Sequence, residues 1–182
     1  MKSIARLVAE HDIIERGLHL LEKAVAQIES GQSVPDDFSK WAPRFFRQFA
    51  GQCHHAKEED LLFPLLKERG IPEEGGPIGC MLQEHEAGRE CVRRMREASE
   101  ADPFDGTKFA AAAKEFIPLL RQHIDKENNI LYPMAGNVLS EVDDANLTHK
   151  FSNVEQERDL DGMNERYDAE VARWEDEGGP SQ

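Results

Sequence analysis

Two eleven-residue segments of this chain carry the same arrangement of candidate metal-binding side chains. Residues 54–64 read HHAKEEDLLFP and residues 123–133 read HIDKENNILYP, with five of the eleven positions identical. Unrelated segments of this length share about one position. In each segment a histidine precedes a glutamate by four residues, which places both side chains on one face of a helix. An imidazole nitrogen and a carboxylate oxygen in this arrangement suit metals such as iron, manganese or zinc.

Two further histidines extend the repeat. His11 lies in EHD (residues 10–12) and His85 lies in EHE (residues 84–86), an offset of 74 residues, and the longer segments are offset by a similar 69 residues. The chain is therefore interpreted as two helix pairs of one design, each with a single histidine on its first helix and HxxxE on its second. A bundle built in this way has a pseudo-twofold axis between its halves.

Helices must position these residues, because the hydrophobic spacing is helical along nearly the whole chain. No segment shows the sustained alternation typical of a strand. The predicted fold class is all-α: an up-down-up-down four-helix bundle with an additional C-terminal helix and tail. The predicted helices span residues 3–30, 38–69, 77–100 and 108–138, and a shorter helix runs from a capping box in SEVD to about residue 157.

The C-terminal region and two prolines complete the predicted organisation. We place the bundle at residues 1–139 and the C-terminal helix and polar tail at residues 140–182. The tail has a weakly helical centre, and its polar end is expected to be frayed. Pro64 and Pro133 lie within helical patterns, so each is expected to bend or end its helix nearby.

The helical pattern places the histidines and glutamates on buried faces. On the fourth predicted helix, His123 and Glu127 lie in the middle of an apolar stripe, and the other helices present their histidines in the same way. Two ionised carboxylates in a core are costly unless they are paired or bind cations. Lys57 and Lys126 lie off the His–Glu face, so neither lysine is expected to pair with these glutamates.

A metal centre resolves this conflict. A single HxxxE is more often a surface pair, and a lone core histidine is more often structural, but two copies of HxxxE with two further histidines favour metal ligands. Four imidazoles and two carboxylates suit two metals bridged by the glutamates, with positions left open for a small ligand. This donor set favours iron, and after it manganese, over a closed zinc site. The predicted metal ligands are His11, His54, Glu58, His85, His123 and Glu127.

Three polar residues near the predicted ligands in the sequence are not assigned as ligands. His55 is expected beside the ligands or on the surface, with a role as an extra ligand as the alternative. Glu15 is a candidate hydrogen-bond partner of a ligand, although its counterpart in the repeat is Arg89, which argues against a shared metal role. Glu59 is expected to be a bystander because its counterpart is Asn128.

The composition excludes several classes of function. The 182 residues carry a formal net charge of −14 and are 39% hydrophobic, so the chain can bury a core while its field repels phosphate backbones and anionic lipid. Nucleic acid and membranes are therefore not expected partners. The charged N-terminus does not resemble a signal peptide, and no apolar run is long enough to span a bilayer. The cysteines, Cys53, Cys80 and Cys91, form no CxxC pair, which favours the cytoplasm.

The order of the motifs resembles a known family. His11, HxxxE at 54–58, His85 and HxxxE at 123–127, with the KEE and LFP flanks, are similar to the hemerythrin-like HHE cation-binding domain over about residues 1–157. The resemblance implies a four-helix bundle that holds two Fe ions in an oxo- or hydroxo-bridged, non-haem centre, with the same six residues as ligands. Oxygen-carrying hemerythrins have a further histidine where this chain has Arg89, which implies a more open metal and argues against reversible oxygen storage.

The resemblance and the open position together predict the function. We expect a cytoplasmic di-iron protein that binds or reacts with O2, NO or peroxide, in sensing or detoxification. The sequence leaves open whether such a reaction is catalytic. The alternatives are a non-catalytic, iron-responsive binding module, whose C-terminal tail recruits a protein partner, and an iron or oxygen storage protein.

Overall fold

The computed structural model describes residues 1–157 and 162–180, and every secondary-structure element in these ranges is helical. Helix α1 is Lys2–Glu29, helix α2 spans 36–68, helix α3 is Pro77–Glu100, helix α4 spans 106–138, helix α5 is Glu141–Glu157 and helix α6 is Met163–Asp176. The predicted all-α fold is confirmed. Each predicted helix begins and ends within two residues of the observed limits.

The first four helices close into a bundle. Helix α1 packs against α2 and α4, and α3 packs against the same two helices. Each helix therefore contacts its neighbours in the chain, as an up-down-up-down order requires. None of the described helices is both long and apolar enough to cross a membrane.

A layer of buried polar side chains divides the apolar core of the bundle into two clusters. Along α1 the chain passes from Leu7 of the smaller cluster through His11 to Ile14 of the larger cluster. Along α4 it passes in the opposite order, from Ile124 of the larger cluster to Leu131 of the smaller one. The reversal shows that these neighbouring helices are antiparallel, and it places the histidine layer at the same height on both.

Helices α2 and α4 widen into π-helix where they carry the repeated motif. Helix α2 is π-helical over Phe46–His55 and again over Glu58–Leu62, and α4 is π-helical over Glu127–Leu131. Pro64 and Pro133 follow these segments, at the start of a new α-helical segment. A proline within a continuous helix has no backbone N–H to donate to the preceding turn. The expected local disturbance thus takes the form of a π-helical turn before each proline.

Helix α5 begins at the predicted capping box. The backbone N–H of Asp143 donates to Oγ of Ser140 at 3.1 Å, and the backbone N–H of Ser140 donates to the Asp143 carboxylate at 3.0 Å. These reciprocal bonds satisfy two donors at the start of the helix. Helix α5 then packs against α1, so that it covers one side of the bundle.

The C-terminal residues also belong to the packed structure. Helix α6 lies against α1 and α2 and buries Tyr167, Val171 and Trp174. Gly178 and Gly179 turn the chain with φ values of 86° and 88°, which glycine adopts without strain, and the residue after them is buried. The expected frayed end is therefore wrong up to residue 180. The parts of the predicted tail at 158–161 and 181–182 lie outside the described residues.

Candidate metal centre

The bundle brings all six predicted ligands into one buried layer, and each is at most 1% exposed. Their nitrogen and oxygen atoms fall into two groups, within each of which all candidate ligand atoms lie within 4.8 Å of one another. One group contains His11, His54 and Glu127, and the other contains His55, Glu58, His85 and His123.

In each group, two histidines present a ring nitrogen to each other. Nε2 of His11 lies 2.9 Å from Nε2 of His54, and Nε2 of His85 lies 3.0 Å from Nε2 of His123. Two imidazole nitrogens that bind one ion at about 2.1 Å, roughly at right angles, are about 3 Å apart. Both pairs therefore have the spacing of two ligands that share a metal.

The outer nitrogens of two of these rings donate to glutamates. Nδ1 of His54 donates to Glu10 at 2.9 Å, and Nδ1 of His123 donates to Glu84 at 3.1 Å. Both glutamates directly precede a lone histidine of the repeat. Each of the EHD and EHE motifs thus supplies a histidine whose Nε2 faces another histidine of the layer. Each also supplies a glutamate whose carboxylate accepts a hydrogen bond from Nδ1 of that other histidine.

The outer nitrogens of the other two rings also face oxygen acceptors. Nδ1 of His85 donates to Glu59 at 2.6 Å, and Nδ1 of His11 lies 2.9 Å from the side-chain oxygen of Asn128. Glu59 is therefore not a bystander, because it orients His85. When all four Nδ1 atoms donate, each neutral ring carries a lone pair on Nε2. The lone pairs of each facing pair repel each other unless a metal ion or a shared proton lies between them.

The two glutamates lie between the histidine pairs. Oε2 of Glu127 is 3.2 Å from Nε2 of both His11 and His123, which belong to different pairs. Oε2 of Glu58 also contacts one histidine of each pair, at 3.6 and 3.5 Å. Each carboxylate thus contacts one histidine of both pairs.

These two carboxylates are buried, and three of their four oxygen atoms lack a hydrogen-bond donor among the described residues. Oε2 of Glu58 and both oxygens of Glu127 accept no hydrogen bond from the described residues. Burial and the charge of Glu127 raise the pKa of Glu58 well above its usual value. Burial also raises the pKa of Glu127, but the imidazoles of His123 and His11 outweigh it and hold that pKa well below the usual value. Unpaired carboxylate oxygens in a core are costly, so the donor set fits a pair of cations.

Tyr132 joins the layer, which the sequence reasoning missed. Its hydroxyl donates to Oε1 of Glu58 at 2.8 Å, and its ring stacks on His11 with the centroids 5.6 Å apart. Burial raises the pKa of Tyr132 well above its usual value, so the hydroxyl keeps its proton at neutral pH. The repeat held a signal for this role, because Tyr132 stands where the other copy has Phe63 and differs from it by this hydroxyl.

Two lysines hold the outer carboxylates in place. Lys57 is fully buried and donates to Glu10 and, at 2.7 Å, to Glu155 of α5. Lys126, its counterpart in the repeat, donates to Glu84. In the ion pairs of the described residues, neither lysine contacts the two central glutamates, as predicted. The sequence reasoning did not foresee that each lysine fixes a carboxylate which in turn holds a histidine.

His55 is buried beside the site, so the surface alternative for this residue is wrong. Its ring stacks on His85, with centroids 3.8 Å and planes 15° apart, and its Nδ1 has no hydrogen-bond partner among the described residues. An ion in the plane of the His85 ring lies outside the plane of a parallel ring stacked on it. This orientation therefore does not let both rings bind one ion, and it places His55 next to the ligands.

Two other polar residues of α1 lie outside the layer. Glu15 lies 3.6 Å from Arg121 and belongs to neither group of candidate ligand atoms. The side chain of His19 is 60% exposed. The interpretation of Glu15 as a partner of a ligand is therefore wrong, and His19 provides an exposed histidine on the same helix as His11.

The fold and the site together agree with one family of proteins. The family model described as Hemerythrin HHE cation binding domain matches residues 2–135, a range that contains all six predicted ligands. The chain belongs to this hemerythrin family. The resemblance inferred from the motifs is confirmed.

Curated proteins with a named role are similar to part of this chain. The iron-sulfur cluster repair protein YtfE of Escherichia coli O81 (strain ED1a) is 34% identical over 109 residues, which are 57% of this chain and 49% of the relative. The YtfE proteins of Escherichia coli O1:K1 / APEC and of Escherichia fergusonii are each 33% identical over the same length. The chain thus spans about half the length of the curated relatives it matches. No solved structure matches it.

Proposed function

We propose that the buried layer binds two iron ions. The observation that carries this proposal is the pair of opposed Nε2 contacts, at 2.9 and 3.0 Å, beside carboxylate oxygens that accept no hydrogen bond from the described residues. Nitrogen and oxygen ligands without thiolate favour iron over a structural zinc site. The first ion would be bound by His11 and His54, the second by His85 and His123, and both by the bridging carboxylates of Glu58 and Glu127.

We further propose that this centre binds or reacts with O2, NO or peroxide in a response to stress. Bound iron would supply open coordination positions and one-electron redox steps. The chain itself keeps bulk water away, because each proposed ligand is at most 1% exposed. Tyr132 holds a hydroxyl hydrogen on the Glu58 carboxylate at 2.8 Å, so a neutral donor lies within the layer.

A second candidate function is a part in the repair of iron–sulfur clusters. The relatives named for this activity align with the chain over 109 residues at 34% identity, and the aligned part is 49% of the relative's length. Both candidate functions would therefore use the same cation-binding bundle.

Metal analysis of the purified chain tests the iron centre. Protein from iron-replete cells is expected to contain about two irons per chain and to absorb in the near ultraviolet. His85→Ala should lose at least half of this iron, whereas His19→Ala, which removes an exposed histidine, should retain it. A fully folded protein without iron, or equal iron in the two variants, would overturn the proposal.

Two assays on the iron-loaded protein separate the candidate functions. Additions of O2, NO and peroxide to the reduced protein should change its iron absorption if the first function is right. For repair, an iron–sulfur enzyme damaged by NO should regain activity with the protein and with His19→Ala, but not with His85→Ala. The protein could restore the activity of the damaged enzyme while O2, NO and peroxide leave its absorption spectrum unchanged. That result would replace the proposed reaction with small molecules by cluster repair.

A further inference from the structure

A cavity of about 660 Å³ lies beside the histidine layer, between α2 and α3. This volume is in the range of small-molecule pockets in proteins, about 300 to 1,000 Å³. Its apolar wall is formed by Phe46 and Ala50 of α2, Val92 of α3 and Phe116 of α4. The layer of candidate ligands does not itself line the cavity, so the cavity is a separate feature of the molecule.

The α2 side of this cavity is a π-helix. The π-helical segment Phe46–His55 has ten residues, whereas π-helix occurs mostly as single turns and frequently at functional sites. Gly51 lies on this side and Gly88 faces it from α3. A Cβ atom added at Gly51 or Gly88 would have its nearest neighbour at 3.6 or 3.5 Å, which is ordinary contact. Packing does not require either glycine, and both leave the cavity open.

The rim of the cavity is positively charged although the whole chain is strongly acidic. Arg47, Arg89, Arg93 and Arg96 line it, and none of the lining residues is acidic. Arg89, Arg93 and Arg96 also pair with glutamates outside the cavity, which holds their side chains in place and offsets part of their charge. Arg47 makes no ion pair with a described residue. Arg47 is therefore the least compensated positive charge at an apolar cavity that no acidic side chain lines, which favours an organic anion over an organic cation.

His55 connects the cavity with the histidine layer. This residue is 7% exposed, lines the cavity and has an Nδ1 atom without a hydrogen-bond partner among the described residues. Buried polar atoms in proteins nearly always have a partner. Because the His55 ring stacks on His85 at 3.8 Å, an occupant of the cavity would be separated from a proposed ligand by a single ring.

We propose that this cavity binds a small organic carboxylate whose apolar body lies against Phe46, Val92 and Phe116 and whose charged head lies among the rim arginines. Arginine forms paired hydrogen bonds with carboxylates, and the apolar wall removes the body from water. Binding itself does not depend on a metal. A second consequence, that the occupant perturbs a bound metal through His55 and His85, rests on the proposed function.

Calorimetric titration of the full chain with decanoate tests the site. We expect about one decanoate per chain in both metal-free and metal-loaded protein. Acetate has the charge without the apolar body, and decyltrimethylammonium has the body with the opposite charge, so both should bind at least about tenfold more weakly. Equal binding of decanoate and decyltrimethylammonium, or of decanoate and acetate, would overturn the proposal.

Two pairs of variants locate the binding. Arg47→Glu should weaken decanoate at least about tenfold, whereas Lys150→Glu, the same change of charge at an exposed position of α5, should leave it unchanged. Gly51→Leu fills the cavity and should abolish binding, while Gly51→Ala adds one methyl group and should largely retain it. Thermal unfolding verifies that each variant is folded. Unaltered binding to Arg47→Glu would refute the site even if Gly51→Leu failed to fold.

The coupling to the metal has its own readout. Decanoate should shift the absorption of metal-loaded protein, and Gly51→Leu should remove the shift. If decanoate binds but the chain holds no metal, the cavity proposal stands and the proposed function fails. If the chain holds metal but decanoate does not bind, the metal proposal stands and the cavity proposal fails.

Discussion

Nδ1 of His85 donates a hydrogen bond to the carboxylate of Glu59 over 2.6 Å. The equivalent nitrogen of His11 faces the neutral side-chain amide of Asn128 instead, at 2.9 Å. A carboxylate acceptor raises the basicity of a metal-binding imidazole, and such outer partners tune a bound metal. The two halves of the layer are therefore alike in arrangement and different in charge, and two bound ions would be held unequally.

This inequality predicts opposite effects of two substitutions on metal affinity. Asn128→Asp gives His11 a carboxylate partner and should strengthen binding, while Glu59→Gln should weaken it by about 10- to 100-fold, the usual cost of losing an outer partner. Competition with a coloured chelator measures both. Asn129→Asp adds the same charge at the next, exposed position and should have little effect. An equal gain from Asn128→Asp and Asn129→Asp would show that net charge acts rather than the hydrogen bond.

Replacing a central carboxylate should separate metal binding from stability. In metal-free protein, Glu58→Gln removes a carboxyl group buried beside Glu127 and keeps an oxygen for the Tyr132 hydroxyl, so the free energy of unfolding should stay the same or rise by up to about 2 kcal/mol. In wild type, added metal should raise Tm because it binds only the folded chain. Glu58→Gln should lose most of that rise. Thermal unfolding with and without metal gives both numbers.

Glu58→Ala is the informative control for this substitution. It also removes the carboxylate, but it leaves a void and deprives Tyr132 of its acceptor, so the metal-free protein should become less stable. If metal raised the Tm of Glu58→Gln as much as that of wild type, Glu58 would not bind the metal.

The six proposed ligands could be predicted because each half of the repeat contains the same three ligand positions. His54 and His123, with a glutamate four residues after each, stand at equivalent positions of two copies, and apolar neighbours place both on a buried face. The helix limits could be predicted because glycine and proline interrupt an otherwise regular spacing. The repeat and the spacing can both be seen in the sequence itself, so no knowledge of the fold was needed.

The outer contacts could not be predicted in this way. A helical wheel assumes 100° per residue and i→i+4 bonding, but α2 is π-helical over Phe46–His55, so the wheel misassigns the face of His55. The burial of Lys57 depends on Glu155, which lies 98 residues later and packs over it from α5. Such long-range contacts leave no trace in local hydrophobic periodicity.

The C-terminal helix should contribute to stability as a part of the core. Tyr167 is fully buried, and its hydroxyl donates to the side chain of Gln48 at 2.5 Å. Tyr167→Ala should therefore lower the free energy of unfolding by about 3–5 kcal/mol, measured by urea titration of metal-free protein. Val142→Ala, at a position that is 68% exposed, should change it by less than about 0.5 kcal/mol. Similar small effects of both would mean that α6 is not packed against the bundle.

The repeat provides a matched comparison for the buried lysine. Lys57 and Lys126 occupy equivalent positions, and each pairs with a glutamate that holds a histidine. Burial lowers the pKa of Lys57, but the charge of Glu10 outweighs it and raises that pKa, so Lys57 stays charged inside the core. The side chain of Lys126 is 32% exposed. The same ion pair therefore exists once in the interior and once near water.

Removal of the Lys57 charge should therefore lower the free energy of unfolding more than removal of the Lys126 charge. In metal-free protein, Lys57→Met removes the buried cation that Glu10 and Glu155 share and should lower the free energy of unfolding by about 3–5 kcal/mol. Lys126→Met breaks a partly exposed pair and should cost at most about 1 kcal/mol. Adding Glu155→Gln to Lys57→Met removes one of the two carboxylates that lost this lysine and should restore part of the loss, whereas Glu155→Gln alone should destabilise. Equal costs for the two lysine variants would show that Glu155 and α5 do not seal Lys57 from water.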